Sequence, residues 1–186
     1  IVREECGHVD WTIFQPSVIF GPGDGLLNRF AALLRRLPCL PLARADARFA
    51  PVYVGDVVRA IARSLADRHT YGATLQLCGP EVYTLRELVE YVARLTGVQR
   101  PVYALPDSIG LLQAALMDLL PGKPLSIDNF RSLGLDSVCS ESGLARLGIA
   151  PTSLRAVAPT YLGGRGRAAR LARNRRAAGE RIDPGT

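Results

Sequence analysis

The chain has 186 residues, 48% of them hydrophobic, a length and apolar fraction that allow one folded domain with a real core and exclude bulk disorder. Its net charge of +6 lies almost wholly in residues 163–186, where seven Arg stand against Glu180 and Asp183, so the body is nearly neutral. Because no aromatic stacking residue accompanies those arginines, the tail is expected to be a flexible, solvated extension and no nucleic-acid partner is expected.

Residue 1 is Ile and the opening "IVREEC" reads as helix, which leads to the expectation of a fragment or a processed chain. Residues 11–20 then read as a strand rich in Ile and Val, followed by "GPGDG" and a helix over 26–37 that Pro38 stops. A strand running through glycines into a helix suggests a dinucleotide turn, but the chemistry of the loop opposes it. The glycines are spaced G-x-G-x-G, Pro22 has no N–H to offer, and Asp24 brings a carboxylate to the place a pyrophosphate needs. Asp46 stands near where a ribose-binding acid would fall, in a segment that does not read as a strand end. The expected role of Asp24 is to cap the following helix.

A strand over 49–54 leads into a helix carrying Val57, Val58, Ile61, Ala62 and Leu65 along one face, and "ATLQLC" gives the next strand. Asp56 is open to reading as a catalytic acid at a strand end, but helix N-capping accounts for it without strain. Thr84 and Glu87 form a capping-box pair opening a helix whose buried stripe is Leu85, Leu88, Val89, Val92 and Leu95, and Gly97 ends it. "PVYAL" is a further strand. Strands separated by single helices imply crossover connections, hence an α/β fold with a mainly parallel sheet covered on both faces. After Pro106 the pattern changes to short helices, about 108–119, 126–134, 141–147 and 152–162, broken by "PGKP", "LGLDS" and "GIAP". The expected organisation is an α/β region over 1–105, a helical lobe over 106–162 and the Arg-rich tail over 163–186.

Cys6, Cys39, Cys78 and Cys139 lack C-x-x-C spacing and have only His8 and His69 as companions, so neither a metal site nor a disulfide is expected, only reduced thiols. No run approaches the ~20 apolar residues of a membrane-spanning helix. There is no G-x-S-x-G elbow, H-E-x-x-H or P-loop, and no catalytic residue is assigned.

"WTIFQPSVIFGPGD", "RFAPVYVGDVVRAI" and "LQLCGPEVYTLRELVEYVARLTG", in this order and at these distances, resemble the carboxy-terminal half of an extended or atypical short-chain dehydrogenase/reductase. The nearest branch is the NAD-dependent epimerase/dehydratase-like one that includes the nucleotide-binding accessory subunit of complex I and its bacterial relatives. The likeness runs over about residues 1–162, and it implies the carboxy-terminal part of a Rossmann-like fold with a small helical substrate lobe. It further implies a cofactor, NAD or NADP, whose nicotinamide side is lined by Gln15, Pro16, Ser17 and Val18. Asn28, Arg48 and Tyr53 are implied to face an unidentified small-molecule substrate.

The phosphate-binding turn and the Tyr-x-x-x-Lys couple of that family do not occur in this chain. Two functions follow as expectations. One is a parent oxidoreductase or epimerase, for which these residues supply the nicotinamide-side and substrate-side walls. The other is a non-catalytic nucleotide-binding structural or assembly subunit of a respiratory NADH:quinone oxidoreductase. Placement is expected to be cytoplasmic, or peripheral to the inner membrane through a respiratory complex or the membrane surface, with no transmembrane helix. If the first strands of the sheet are missing, the edge at residues 11–20 predicts poor solubility of the chain alone.

Overall fold

The structure is a computed structural model and describes residues 10–98, 100–106, 109–110 and 136–163. The helices expected over 108–119 and 126–134 lie outside these residues apart from 109–110, as does the Arg-rich tail beyond Gly163.

Residues 11–20, expected as one strand, form two. β1 (Thr12–Pro16) and β2 (Ile19–Phe20) are separated by a bend at Ser17 and Val18. The bend has a cause: Ser17 N–H still donates to Leu77 O of one neighbour (2.9 Å), whereas Val18 O already accepts from Val52 N–H of another (2.9 Å). α1 (Leu26–Arg36) follows, then β3 (Leu40–Ala43), β4 (Arg48–Phe49) and β5 (Val52–Tyr53). α2 (Val54–Ser64), a 3-10 turn over Arg68–Thr70, β6 (Ala73–Leu77) and β7 (Tyr83–Thr84) come next, then α3 (Leu85–Thr96) and β8 (Val102–Leu105). The described part of the expected helical lobe holds α4 (Gly143–Arg146) and α5 (Leu154–Leu162).

Among the described residues the ladders are parallel for β1 with β6, β2 with β5 and β3 with β8, and antiparallel for β4 with β7. Parallel pairing is what strands joined through helices require. The strand pattern missed β3 because Pro41 lies inside it; proline is tolerated where its missing N–H faces away from the ladder, and Pro41 pairs with Tyr103 of β8.

Apolar side chains gather in two clusters. The larger joins α1, α3 and α5 through Leu27, Leu34, Leu88, Val92, Leu154 and Ala158, with Phe20 and Leu42 from the strands. The smaller joins β5, α2, β6 and α4 through Val52, Val57, Ala60, Leu75, Leu77 and Leu144. Removing one such leucine typically costs about 2–5 kcal/mol, so α4 and α5 are bound to the sheet elements by substantial packing.

α3 forms as its sequence dictates. Thr84 Oγ1 accepts from Glu87 N–H (3.2 Å), Glu87 Oε2 accepts from Thr84 N–H (2.7 Å), and Gly97 closes the helix at φ 68°. Hydrogen bonds donated by the Thr84 N–H and by its hydroxyl (3.0 Å) hold the Glu87 carboxyl below its ordinary pKa. Thr84→Ala is therefore expected to cost about 1 kcal/mol in a denaturant melt. A depressed carboxyl favours folding above its unfolded pKa and loses that contribution as pH falls through its folded value, so the wild-type advantage should shrink in acid.

α2 departs from expectation. Its inward stripe is Asp56, Val57, Ala60 and Ser64, while Val54, Val58, Ile61 and Leu65 face outward, Val58 at 59% and Leu65 at 76% exposure. The small inward residues let the helix lie close over β5 and β6. Asp56 does not cap this helix either. The N-cap position is Tyr53, and Asp56, with 0% exposure, points instead at Thr152.

Candidate functional site

In an open α/β sheet a ligand crevice forms beyond the carboxyl ends of the parallel strands, where backbone groups leave the ladder and loops diverge. The residues at the carboxyl end of β1 are those singled out from the sequence. Gln15 and Pro16 are paired with Gln76 and Leu77 of β6 and are exposed; Ser17 is buried and Val18 half-buried against the larger cluster.

The hydroxyl of Ser17 is already engaged. It donates to Ser137 O (2.5 Å) and accepts from Ala50 N–H (3.3 Å) and Ser137 Oγ (3.1 Å). Ser17 therefore shapes the strand end by joining three segments, 120 positions apart in the case of Ser137. Arg48 sits beside the same junction with an exposed side chain. Its N–H donates to Asp136 Oδ1 (3.0 Å), and its carbonyl accepts from Ser137 N–H (2.8 Å). Tyr53, at the end of β5, is half-buried with its ring 5.7 Å from that of Phe20.

Asn28 lies in the first turn of α1, where its side-chain amide donates to Asp24 O (3.1 Å). Asp24 caps that helix: its Oδ1 accepts from Leu27 N–H (2.7 Å) and, more weakly, from Asn28 N–H (3.4 Å). The α1 N-terminus thus already holds a carboxylate, and a pyrophosphate does not fit there. The other oxygen, Asp24 Oδ2, accepts from the Tyr161 hydroxyl (2.7 Å), which ties the glycine turn to the end of α5.

Burial first, and then the bond to Asp24, push the Tyr161 phenol far above its ordinary value of 10.0. A raised folded pKa stabilises fully below the unfolded value and is lost as pH rises beyond it. Tyr161→Phe should cost about 1 kcal/mol at neutral pH. In the same variant the decline of stability above pH of about 10 should flatten, read from melts across alkaline buffers.

The expectation of reduced, unpaired thiols is overturned by the geometry: Cys78, just beyond β6, is disulfide-bonded to Cys139, 61 positions on, while Cys39 is free. Spacing along the chain carried no sign of it, because the two residues meet only where residues 136–142 return to the strand ends. Ser137 and Asp136 escaped notice for the same reason.

No protein-family model matches the chain. In fold it is a Rossmann-like α/β unit. It superposes on the dTDP-glucose 4,6-dehydratase DesIV from Streptomyces venezuelae, solved with NAD and TYD bound, with a TM-score of 0.59 at 19% identity, covering 95% of this chain and 48% of that one. In sequence it is related to mitochondrial complex I subunits: NADH dehydrogenase (ubiquinone) 1 alpha subcomplex subunit 9 of Arabidopsis thaliana is 31% identical over 144 residues, and that of Rattus norvegicus 32% over 150. These alignments take in 72% and 78% of this chain but 36% and 40% of the relatives, so the chain spans well under half their length. Among the described residues no helix is long and apolar enough to cross a membrane.

Proposed function

We propose that the chain forms the nicotinamide-side and substrate-side walls of an NAD(P) cleft in a short-chain dehydrogenase/reductase-like protein. The observation that carries this is the placement of Gln15 and Pro16 at the carboxyl end of the parallel pair β1 and β6, with Val18 in the bend that follows and Arg48 and Tyr53 on β4 and β5. Pro16 offers an apolar surface to a nicotinamide ring, Gln15 an amide to its carboxamide, and the backbone at Val18 a further polar contact. Ser17 holds this wall in shape, and Arg48 presents a cation to an anionic substrate group. Asn28 contributes from the turn that leads toward the substrate side.

A bound cofactor would supply hydride at its nicotinamide ring. The single lysine, Lys123, has Leu119 four positions before it, so these residues bind and orient and offer no Tyr-x-x-x-Lys couple for proton transfer. The parent function is an oxidoreductase or epimerase acting on a small molecule, with NAD or NADP as cofactor. The second reading, a non-catalytic nucleotide-binding structural or assembly subunit, is favoured by the relatives, both of them NADH dehydrogenase subunits. It would associate peripherally with a respiratory complex.

Titration of the labelled chain with nicotinamide mononucleotide and, separately, ADP-ribose tests the wall. Amide shifts at Gln15, Ser17 and Val18 are expected with the first and not the second. Stronger binding of ADP-ribose would sink the proposal. Comigration of a tagged chain with NADH:quinone oxidoreductase on native gels would decide for the second reading over the first.

A further inference from the structure

Residues 136–143 lie as a strap across the strand ends and are held from two sides. On one side Ser137 N–H donates to Arg48 O, Ala50 N–H donates to Ser137 O (3.0 Å), and Asp136 accepts from Arg48 N–H; a short parallel bridge joins Phe49 to Ser137. On the other side stand the Cys78–Cys139 disulfide and a hydrogen bond from Ser142 Oγ to Cys78 O (3.2 Å). The strap ends at a firm anchor: Gly143 packs so closely that an added Cβ would lie 3.0 Å from Leu75 Cβ, and Leu144 is fully buried. Between Asp136 and that anchor the strap is tied by hydrogen bonds, which open locally, and by one covalent bond, which does not.

We propose that the Cys78–Cys139 disulfide is a thiol-exchange site whose reduction by a dithiol frees residues 136–142 from the strand ends and loosens the wall at Ser17 and Arg48. The consequence for the wall rests on the cleft reading above; the exchange and the release do not.

The two sulfurs differ in access. Cys78 is 4% exposed and Cys139 is half-buried, so the attack of an incoming thiolate is assigned to the more exposed residue, at Cys139 Sγ. Its attack forms a mixed disulfide on Cys139 and breaks the protein S–S bond, and Cys78 leaves as a thiolate that takes a proton from water. The second thiol of the reagent then attacks the reagent sulfur of the mixed disulfide, expels Cys139 as a thiolate that is protonated in turn, and departs as a cyclic disulfide. Two electrons pass from the dithiol to the protein. Among the described residues one cross-link stands beside a free Cys39, unlike the dense, buried bridges of disulfide-built domains.

The test uses the full chain purified without reductant. Differential alkylation with mass spectrometry should label Cys39 at once, and Cys78 and Cys139 only after dithiothreitol. Hydrogen exchange should then show the Ala50 and Ser137 amides losing protection by about tenfold or more on reduction, while α3 keeps its own. Cys139→Ser should show the reduced pattern without reagent and ignore it when added. Should that variant fail to fold, graded reduction of the wild-type chain gives the same reading.

Alkylation of Cys78 and Cys139 before reduction would overturn the proposal. So would unchanged Ala50 and Ser137 protection, or loss of α3 protection with them, since the bridge would then be an inert or a global staple. Weaker nicotinamide mononucleotide binding after reduction would extend the switch to the cleft. Release of the strap without any such binding in either state would sink the cleft reading and leave the exchange site standing.

Discussion

Gly79→Ala is expected to cost about 4 kcal/mol or more and to lower the melting temperature by about 12 °C or more, the largest effect of any alanine substitution considered for this chain. A Cβ built on Gly79 would lie 1.8 Å from Pro51 O and 2.9 Å from Pro51 C, and both atoms are backbone. The approach cannot easily widen, because Gly79 N–H donates to Ala50 O (3.1 Å) and Val52, the residue after Pro51, is fully buried in the smaller cluster. Cys78, one residue before, is fixed to Cys139. Relief therefore requires pulling the end of β6 from the β4–β5 connection, which also parts Ala50 from Ser17 and Ser137. Gly25→Ala serves as the control, since nothing lies within 4 Å of its added Cβ. It should leave the melt within about 0.5 kcal/mol of wild type. If Gly79→Ala melts as Gly25→Ala does, the close packing of the strand ends is wrong.

This junction also marks the limit of what the sequence reveals. Features whose partners lie within one turn were legible: the Thr84–Glu87 box, the left-handed Gly97 and the Asp24 cap depend on contacts three or four residues apart. The α/β class was legible too, because apolar runs alternating with helical stripes leave few other arrangements. Which way a stripe faces was not: α2 carries apolar residues on more than one side, and the fold buries the small set, Val57 and Ala60, leaving Val58 and Leu65 outside. At the candidate site, Gln15 and Pro16 stand at the end of β1, yet the partners of the Ser17 hydroxyl come from residues 50 and 137. No local pattern announces a contact of that span, and four scattered cysteines do not say which two will meet.

Asp56 was legible as an important carboxylate and misread in its role, and the second large effect follows from the correction. Asp56→Ala is expected to cost about 2–4 kcal/mol. The carboxylate has 0% exposure, and its two oxygens accept from Thr152 N–H (2.6 Å) and Thr152 Oγ1 (2.9 Å), with Arg59 as a third donor. Thr152 directly precedes the cap of α5, whose Leu154, Ala158 and Leu162 are buried in the larger cluster, so one side chain on α2 fixes the entry of a helix nearly a hundred residues away. Removing it strands a backbone N–H and a hydroxyl and frees α5 to shift. Arg59, by contrast, is 56% exposed, so its ion pair is screened and Arg59→Ala should lie within about 1 kcal/mol of wild type. Asp56→Asn keeps the shape but turns an acceptor oxygen into an N–H donor among donors, and it should recover little of the loss. Thr152→Ala removes one hydrogen bond and should cost about 1 kcal/mol, with a coupling to Asp56→Ala of similar size in a double-mutant cycle. Equal, small costs for Asp56→Ala and Arg59→Ala would show the carboxylate to be a surface pair and not the anchor of α5.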